Sequence, residues 1–317
     1  MVLKSASLNR NCTCMNMNRP GYKAYIYLMK GISMAILLML CTQAMAQKYE
    51  VSTLFPDLVS TDKIEYYGTE AGFNNSFYFV RREGVWGDFN NKNPNTIYVM
   101  EQKKGIWTSP RVALFSGQFS DSAPFVSPDA SYLFFTSNRP YPGKPGKGSD
   151  IWFKIRKNSF FSSPKILKGI NSEGTEYSPV LTKSGTLYFA STGHGGLGQG
   201  DIFSCSFRRK GCENIQNLGS AINSPEGEWN VFVDPDETYM IFEASGRIPS
   251  RDNGDLYVSF RKDGVWQKAQ FIKEMNSEGS DLAVRLSADG KWFYFAQSHD
   301  GEVDIKKISV KVLDQYR

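Results

Sequence analysis

Histidine is almost missing from this chain: there are two in 317 residues, His194 and His299, both in Gly- or Asp-rich segments. That excludes a multi-histidine metal centre, which needs several imidazoles at ligand spacing, and no metal site is expected. Cysteine is scarce as well. Of the five present, Cys12, Cys14 and Cys41 fall in the first 46 residues, leaving only Cys205 and Cys212 beyond them. No Gly-x-Ser-x-Gly elbow occurs, so a Ser-His-Asp hydrolase has no support. The glycine-rich stretch Gly193–Gly200 joins two expected strands and opens no helix, which argues against a phosphate cradle; no cofactor is expected. Apolar runs long enough to cross a membrane, about 20 residues, are also absent.

Charge of one sign is missing after the leader. The formal net charge of +5 is carried by Lys4, Arg10, Arg19, Lys23 and Lys30, since the first 46 residues hold no acid. Removing these five from the 37 basic residues leaves 32, equal to the 32 acidic ones. A neutral remainder gives no basic face for nucleic acid. The leader itself has a short positive start at Met29-Lys30, an apolar run from Met34 to Leu40, and the small-x-small ending Ala44-Met45-Ala46. This is the pattern of a secretory signal peptide. It predicts a true start at Met29, a mature chain from Gln47, and an exported, periplasmic or extracellular protein. A lipid anchor at Cys41 is the weaker reading, because Leu40 stands where a lipobox wants a small residue. In an oxidising compartment, the close pair Cys205 and Cys212 is expected to form a disulfide.

What is abundant is repetition. An apolar-aromatic strand ends at Phe79, Phe135, Phe189, Phe242 and Phe295, with spacings of 56, 54, 53 and 53 residues. Turn-plus-strand segments recur around these anchors: Ser-Pro-Asp-Ala-Ser-Tyr-Leu-Phe-Phe at 127–135, Asp-Pro-Asp-Glu-Thr-Tyr-Met-Ile-Phe at 234–242, and Ser-Ala-Asp-Gly-Lys-Trp-Phe-Tyr-Phe at 287–295. A second alternating strand follows each anchor, opened by Asp150, Asp201, Asp255 and Asp304; the first unit has Thr96 there. Asn-Ser linkers then lead into the next unit at Asn171, Asn223 and Asn276. Each unit therefore holds four short strands, here a to d in chain order. Four-stranded units at this period are propeller blades. The expectation is a single all-β domain over 47–317, a β-propeller of five blades, with six as the alternative. The last unit lacks an outer strand. Phe55-Pro56-Asp57-Leu58-Val59 resembles Ser163-Pro164-Lys165-Ile166-Leu167, so the N-terminal strand is expected to complete the last blade and close the ring without a free edge.

The Ser-Pro-Asp-x-x-Tyr-Leu-x-Phe segment, followed by Gly148-Ser149-Asp150-Ile151-Trp152, resembles the WD40-like PD40 repeat of TolB-type propellers, and the Asn-Ser linkers are similar to those of exported Bacteroidetes-type proteins. The resemblance spans about residues 50–310. It implies a binding or scaffold module of the cell envelope.

Two sets of residues are candidates for function. An acid precedes each anchor by fourteen positions at Glu65, Asp121, Glu228 and Asp281, and by thirteen at Glu176. It stands where the linker enters strand a, beside the expected central channel. A carboxylate ring there could hold a cation or perform acid–base work. Repetition in every unit favours a structural role instead, because catalysis breaks symmetry and scaffolding keeps it. The second set lies in the long b–c loops, on the same face as the linkers: Arg139, Tyr141, His194, Arg247 and Arg251. Variable loops on a rigid scaffold commonly carry binding. The functional expectation is a non-enzymatic, monomeric binding or scaffold propeller that meets an envelope protein or glycan. The alternative is a glycan-active hydrolase or lyase using channel carboxylates.

Overall fold

The computed structural model describes residues 49–88, 90, 92–144, 148–209, 211–247 and 254–317. The leader over 1–46, with Cys12, Cys14 and Cys41, lies outside the described residues, as does Arg251.

The anchor segments form strand b of each unit, at Ser76–Arg82, Tyr132–Ser137, Thr186–Ser191, Tyr239–Ser245 and Trp292–His299. These read as nearly continuous apolar runs because neighbouring sheets cover both of their faces. All five anchor phenylalanines are buried. Each strand b pairs antiparallel with a strand a before it, at Ile64–Ala71, Asp121–Val126, Glu176–Leu181, Gly227–Val233 and Asp281–Leu286. It also pairs with a strand c after it, at Thr96–Lys103, Asp150–Lys157, Asp201–Arg208, Asp255–Lys262 and Glu302–Ser309. Tight a–b turns set this register. The residue after the Ser-Pro-Asp or equivalent triplet is left-handed, as at Ala130 (φ 56°) and Gly290 (φ 69°), which lets a type I turn follow the strand twist.

Strand d differs among units. In the first, second and fourth it is two short pieces on strand c, for example Phe160–Phe161 and Lys165–Ile166. In the third it is continuous over Gly211–Asn217 and is tied to strand c by the Cys205–Cys212 disulfide, with Cα atoms 5.8 Å apart. In the fifth, strand d is Ser52–Thr53, paired with Lys307 and Lys306.

Ring closure thus uses the N-terminal strand, but five residues upstream of the expected register. Leu54 N–H donates to Ile305 O, as Leu167 N–H does to Ile151 O, so Leu54 and not Val59 is the counterpart of Leu167. Phe55–Val59 is instead a compact turn with Phe55 and Asp57 left-handed (φ 48° and 62°). Its N–H groups at Leu58, Val59 and Ser60 converge on Phe55 O. The turn is held by Phe55, whose ring meets Phe77 and Trp107 edge-on.

The strands a touch one another in sequence order, and the fifth touches the first, so the four-stranded units surround a common axis. A parallel pairing of Ile64 with Val303 joins the first and fifth units into one sheet. The described residues from Tyr49 to Arg317 form one compact unit.

Candidate functional site at the channel mouth

The linkers do two jobs. Their asparagine clamps strand c of the preceding unit: Asn223 Oδ1 accepts from Ile202 N–H (2.8 Å) and Nδ2 donates to Ile202 O (3.0 Å), and Asn171 and Asn276 repeat this on Ile151 and Leu256. The next residue, serine or threonine, caps the acid four positions on. Ser224 N–H and Oγ donate to Glu228 (2.8 and 2.6 Å), with the same double contact from Thr61 to Glu65, Ser172 to Glu176 and Ser277 to Asp281. Gly117 occupies this place before Asp121, and Asp121 Oδ2 is left without a partner. All five acids are fully buried.

The loop residues turn out to face the ring. Arg139 binds Asp121 Oδ1 at 2.7 Å and donates to Phe115 O; Arg247 Nε binds Glu228 at 2.9 Å and its Nη2 reaches Ile222 O. Arg81, at the end of strand b, does the same for Glu65 at 2.7 Å. His194 packs on Phe189 and Phe203 and hydrogen-bonds Ile170 O, with Glu176 3.9 Å away. Gln297 serves Asp281 at 2.8 Å. Tyr141 stacks edge-on against Trp152, beside a buried Lys144–Asp150 pair (2.7 Å). Of the loop residues named from the sequence, Arg139 and Arg247 are thus each paired with a ring carboxylate. A buried carboxylate draws the nearest cation inward, because leaving it unpaired is costly. Burial still pushes the Glu65 and Glu228 carboxyls above their usual range, partly offset by Thr61 and Arg81 for the one and Ser224 and Arg247 for the other.

A second ring lies just beyond the acids. Every strand a carries a β-bulge two residues after the acid, and the bulged residue is left-handed in each: Tyr67, Ala123, Ser178, Asn230 and Ala283, with φ between 45° and 59°. Bulges re-aim side chains. Residues around these bulges and from the b–c loops line a cavity of about 580 Å³ at the linker end of the channel. Its walls are aromatic, from Tyr66, Tyr67, Trp86, Tyr177 and Trp229, with Trp229 edge-on to Tyr177 and Trp86 edge-on to Tyr66. None of the five ring acids lines it.

The acid that does is Glu243. It follows the anchor Phe242, where the other units have Val80, Thr136, Ala190 and Ala296, so it alone breaks the symmetry of its register. Asn230 Nδ2 donates to Glu243 Oε2, and Tyr67 OH donates to Asn230 Oδ1, forming a series of hydrogen bonds across the channel. Burial, with help from the charges of Asp281 and Asp255 and opposed by Asn230, pushes the Glu243 carboxyl up to about 7. Asp281 is pushed up to about 6, chiefly by burial. Sequence reasoning passed over Glu243 because it sought acids at a repeated position; a lone acid at an otherwise small or apolar register was the available signal. Among the described residues, no group of three His, Cys, Asp or Glu side chains is placed to hold a metal ion.

No family model matches the chain, and no curated protein matches its sequence. Solved structures do match in fold. The complex of BT0996 with RGII is 9% identical with a TM-score of 0.52, covering 84% of this chain and 93% of the other. A TolB-type protein of Agrobacterium tumefaciens is 13% identical with a TM-score of 0.46, covering 75% and 71%. A glycosyl hydrolase from Bacteroides ovatus is 7% identical with a TM-score of 0.49, covering 82% and 92%. At such identities the likeness is one of fold alone: the protein is an all-β propeller, and its function has to be argued from the site.

Proposed function

We propose that this protein is an exported binding propeller of the cell envelope, and that its ligand enters the linker-face mouth of the channel. The observation that carries the reading is the single asymmetric carboxyl, Glu243, at an aromatic-walled cavity of about 580 Å³. Pockets of this size with apolar walls and a few convergent polar groups are the usual form of a small-ligand site. Amphipathic rings such as Tyr66, Tyr177 and Trp229 offer flat apolar faces to sugar C–H groups. Asn230, Ser122 and Glu243 offer hydrogen bonds to hydroxyls, so the ligand is a glycan segment. The ring of Glu65, Asp121, Glu176, Glu228 and Asp281 is a blade-junction device, since four of its members are capped by linkers and all five are faced by Arg81, Arg139, His194, Arg247 or Gln297. Export is supported by the leader pattern and by the Cys205–Cys212 bridge, which suits an oxidising compartment.

A glycan-active enzyme is the second reading, and one observation favours it. A carboxyl titrating near 7 is suited to a general-acid role. Glycoside cleavage ordinarily uses two carboxyls across the scissile bond, and the neighbouring Asp281 is already committed to Ser277 and Gln297. Binding therefore stands first. Capture on a glycan array, with product analysis of each captured glycan, separates the two. Binding without products, lost in Trp229→Ala, is the expected result. Products that vanish in Glu243→Gln while capture persists would transfer the site to the enzyme reading. No capture by the wild type at all would overturn both.

A further inference from the structure

The opposite end of the channel holds a charge that nothing so far uses. Arg285 lies on strand a of the fifth unit, four residues after Asp281, where the other units have Thr69, Phe125, Val180 and Phe232. It is the only charged residue at that register. Its side chain is 2% exposed, the largest fully buried one among the described residues. Nη1 donates to Val284 O at 2.8 Å, Nη2 reaches Ser178 Oγ at 3.4 Å, and Nε has no partner. The guanidinium carbon sits 4.7 Å from the Tyr67 ring centre and 5.8 Å from that of Phe125. No ion pair joins it to a carboxylate among the described residues. Burial lowers its pKa to about 10, so it stays charged at neutral pH. One backbone carbonyl, cation–π contacts and a long hydroxyl contact leave the cation without the anion that its burial ordinarily demands.

Arg285 lines a cavity of about 370 Å³ that opens between the a–b turns, on the face opposite the linkers. The walls are mainly apolar, with Phe73, Phe125, Val126 and Phe232 prominent. The two other charged groups there are already engaged: Glu70 accepts from Ala288 N–H (2.6 Å) and Tyr294 OH (2.8 Å), and Lys183 pairs with Asp236 at 2.7 Å. What remains is a fixed cation at a mainly apolar cavity wall, its Nε without a partner and its Nη2 only weakly held.

We propose that this cavity binds a small monocarboxylate with an apolar body, whose carboxylate pairs with the Arg285 guanidinium. The site is separate from the linker-face mouth and does not depend on the function assigned there. Its apolar wall distinguishes an organic acid from phosphate, which would gain nothing from phenylalanine. Calorimetry and thermal shift on the mature chain test it, with phenylacetate and hexanoate as probes and 2-phenylethanol, acetate and inorganic phosphate as controls. The two probes are expected to bind and to raise Tm, with every control at least tenfold weaker. Arg285→Met is expected to abolish probe binding and to melt at or above the wild-type temperature without ligand, since an unpaired buried cation is gone. Arg285→Lys keeps the charge but loses the fork, and is expected to bind at least tenfold more weakly. Probes that bind no better than 2-phenylethanol or phosphate, or that bind Arg285→Lys as tightly as wild type, overturn the proposal whether or not Arg285→Met folds.

Discussion

Replacing Glu243 with glutamine should make this protein more stable at alkaline pH while leaving it nearly unchanged in acid. The carboxyl is raised from 4.5 to about 7 in the fold, so the folded state holds a proton that the unfolded chain has already released. A raised carboxyl favours the fold fully below its unfolded pKa, and that advantage is lost as pH rises through the folded value. A shift of this size corresponds to roughly 3 kcal/mol. Glu243 lines the open cavity and is only half-buried there, so about 2 kcal/mol is the better expectation. Glutamine keeps the oxygen that accepts from Asn230 Nδ2, so the hydrogen bond toward Tyr67 survives in the variant. Urea unfolding at pH 4.5, 6, 7 and 8.5 reads the difference between wild type and variant. Other raised carboxyls, such as Asp281, are common to both proteins and cancel. The gap should be near zero at pH 4.5 and grow to about 2 kcal/mol in favour of glutamine at pH 8.5. A gap that stays flat with pH, or a variant less stable at pH 8.5, would show that Glu243 is held ionised and that the cavity is electrostatically unlike the one described.

The ring acids should behave oppositely to Glu243. Glu65→Ala and Glu228→Ala each strand a half-buried arginine and two linker donors, and should lower unfolding free energy by roughly 2–4 kcal/mol. Asp281→Ala should cost less at pH 8, because its own carboxyl is pushed up to about 6 and its partners are neutral; equal, negligible losses at all three positions would refute a structural ring. Removing residues 49–54 takes away the closing strand and the buried Leu54, and should expose the edge of Glu302–Ser309. Aggregation or loss of a single cooperative melt is expected on differential scanning, and an unchanged Tm would mean that the ring does not need this strand.

The repeat and its four-stranded units are legible in the sequence because blade strands alternate or run apolar at short range, and because turns such as Ser127-Pro128-Asp129 announce themselves locally. The pairing of Cys205 with Cys212 is equally local, spanning one hairpin. The closing register was misjudged by five residues for a local reason too: Phe55–Val59 copies the letters of an outer strand, yet two left-handed residues coil it into a turn. Longer-range facts were beyond reach. That Arg139 and Arg247 serve buried acids eighteen and nineteen residues earlier is decided by how the b–c loop folds back over its own blade. The faces presented to the channel are set by five bulges at residues as unlike as Tyr67, Ala123, Ser178, Asn230 and Ala283, which share a backbone conformation and no chemical signature. Glu243 and Arg285 were visible only as single departures inside a repeat. The repeat by itself determines the blades and their order, since each blade is specified by neighbours in sequence. Which departures matter is decided only when the ring closes and brings five distant strands around one axis, where a carboxyl and a guanidinium that each unit would otherwise lack are buried near opposite ends of the same channel.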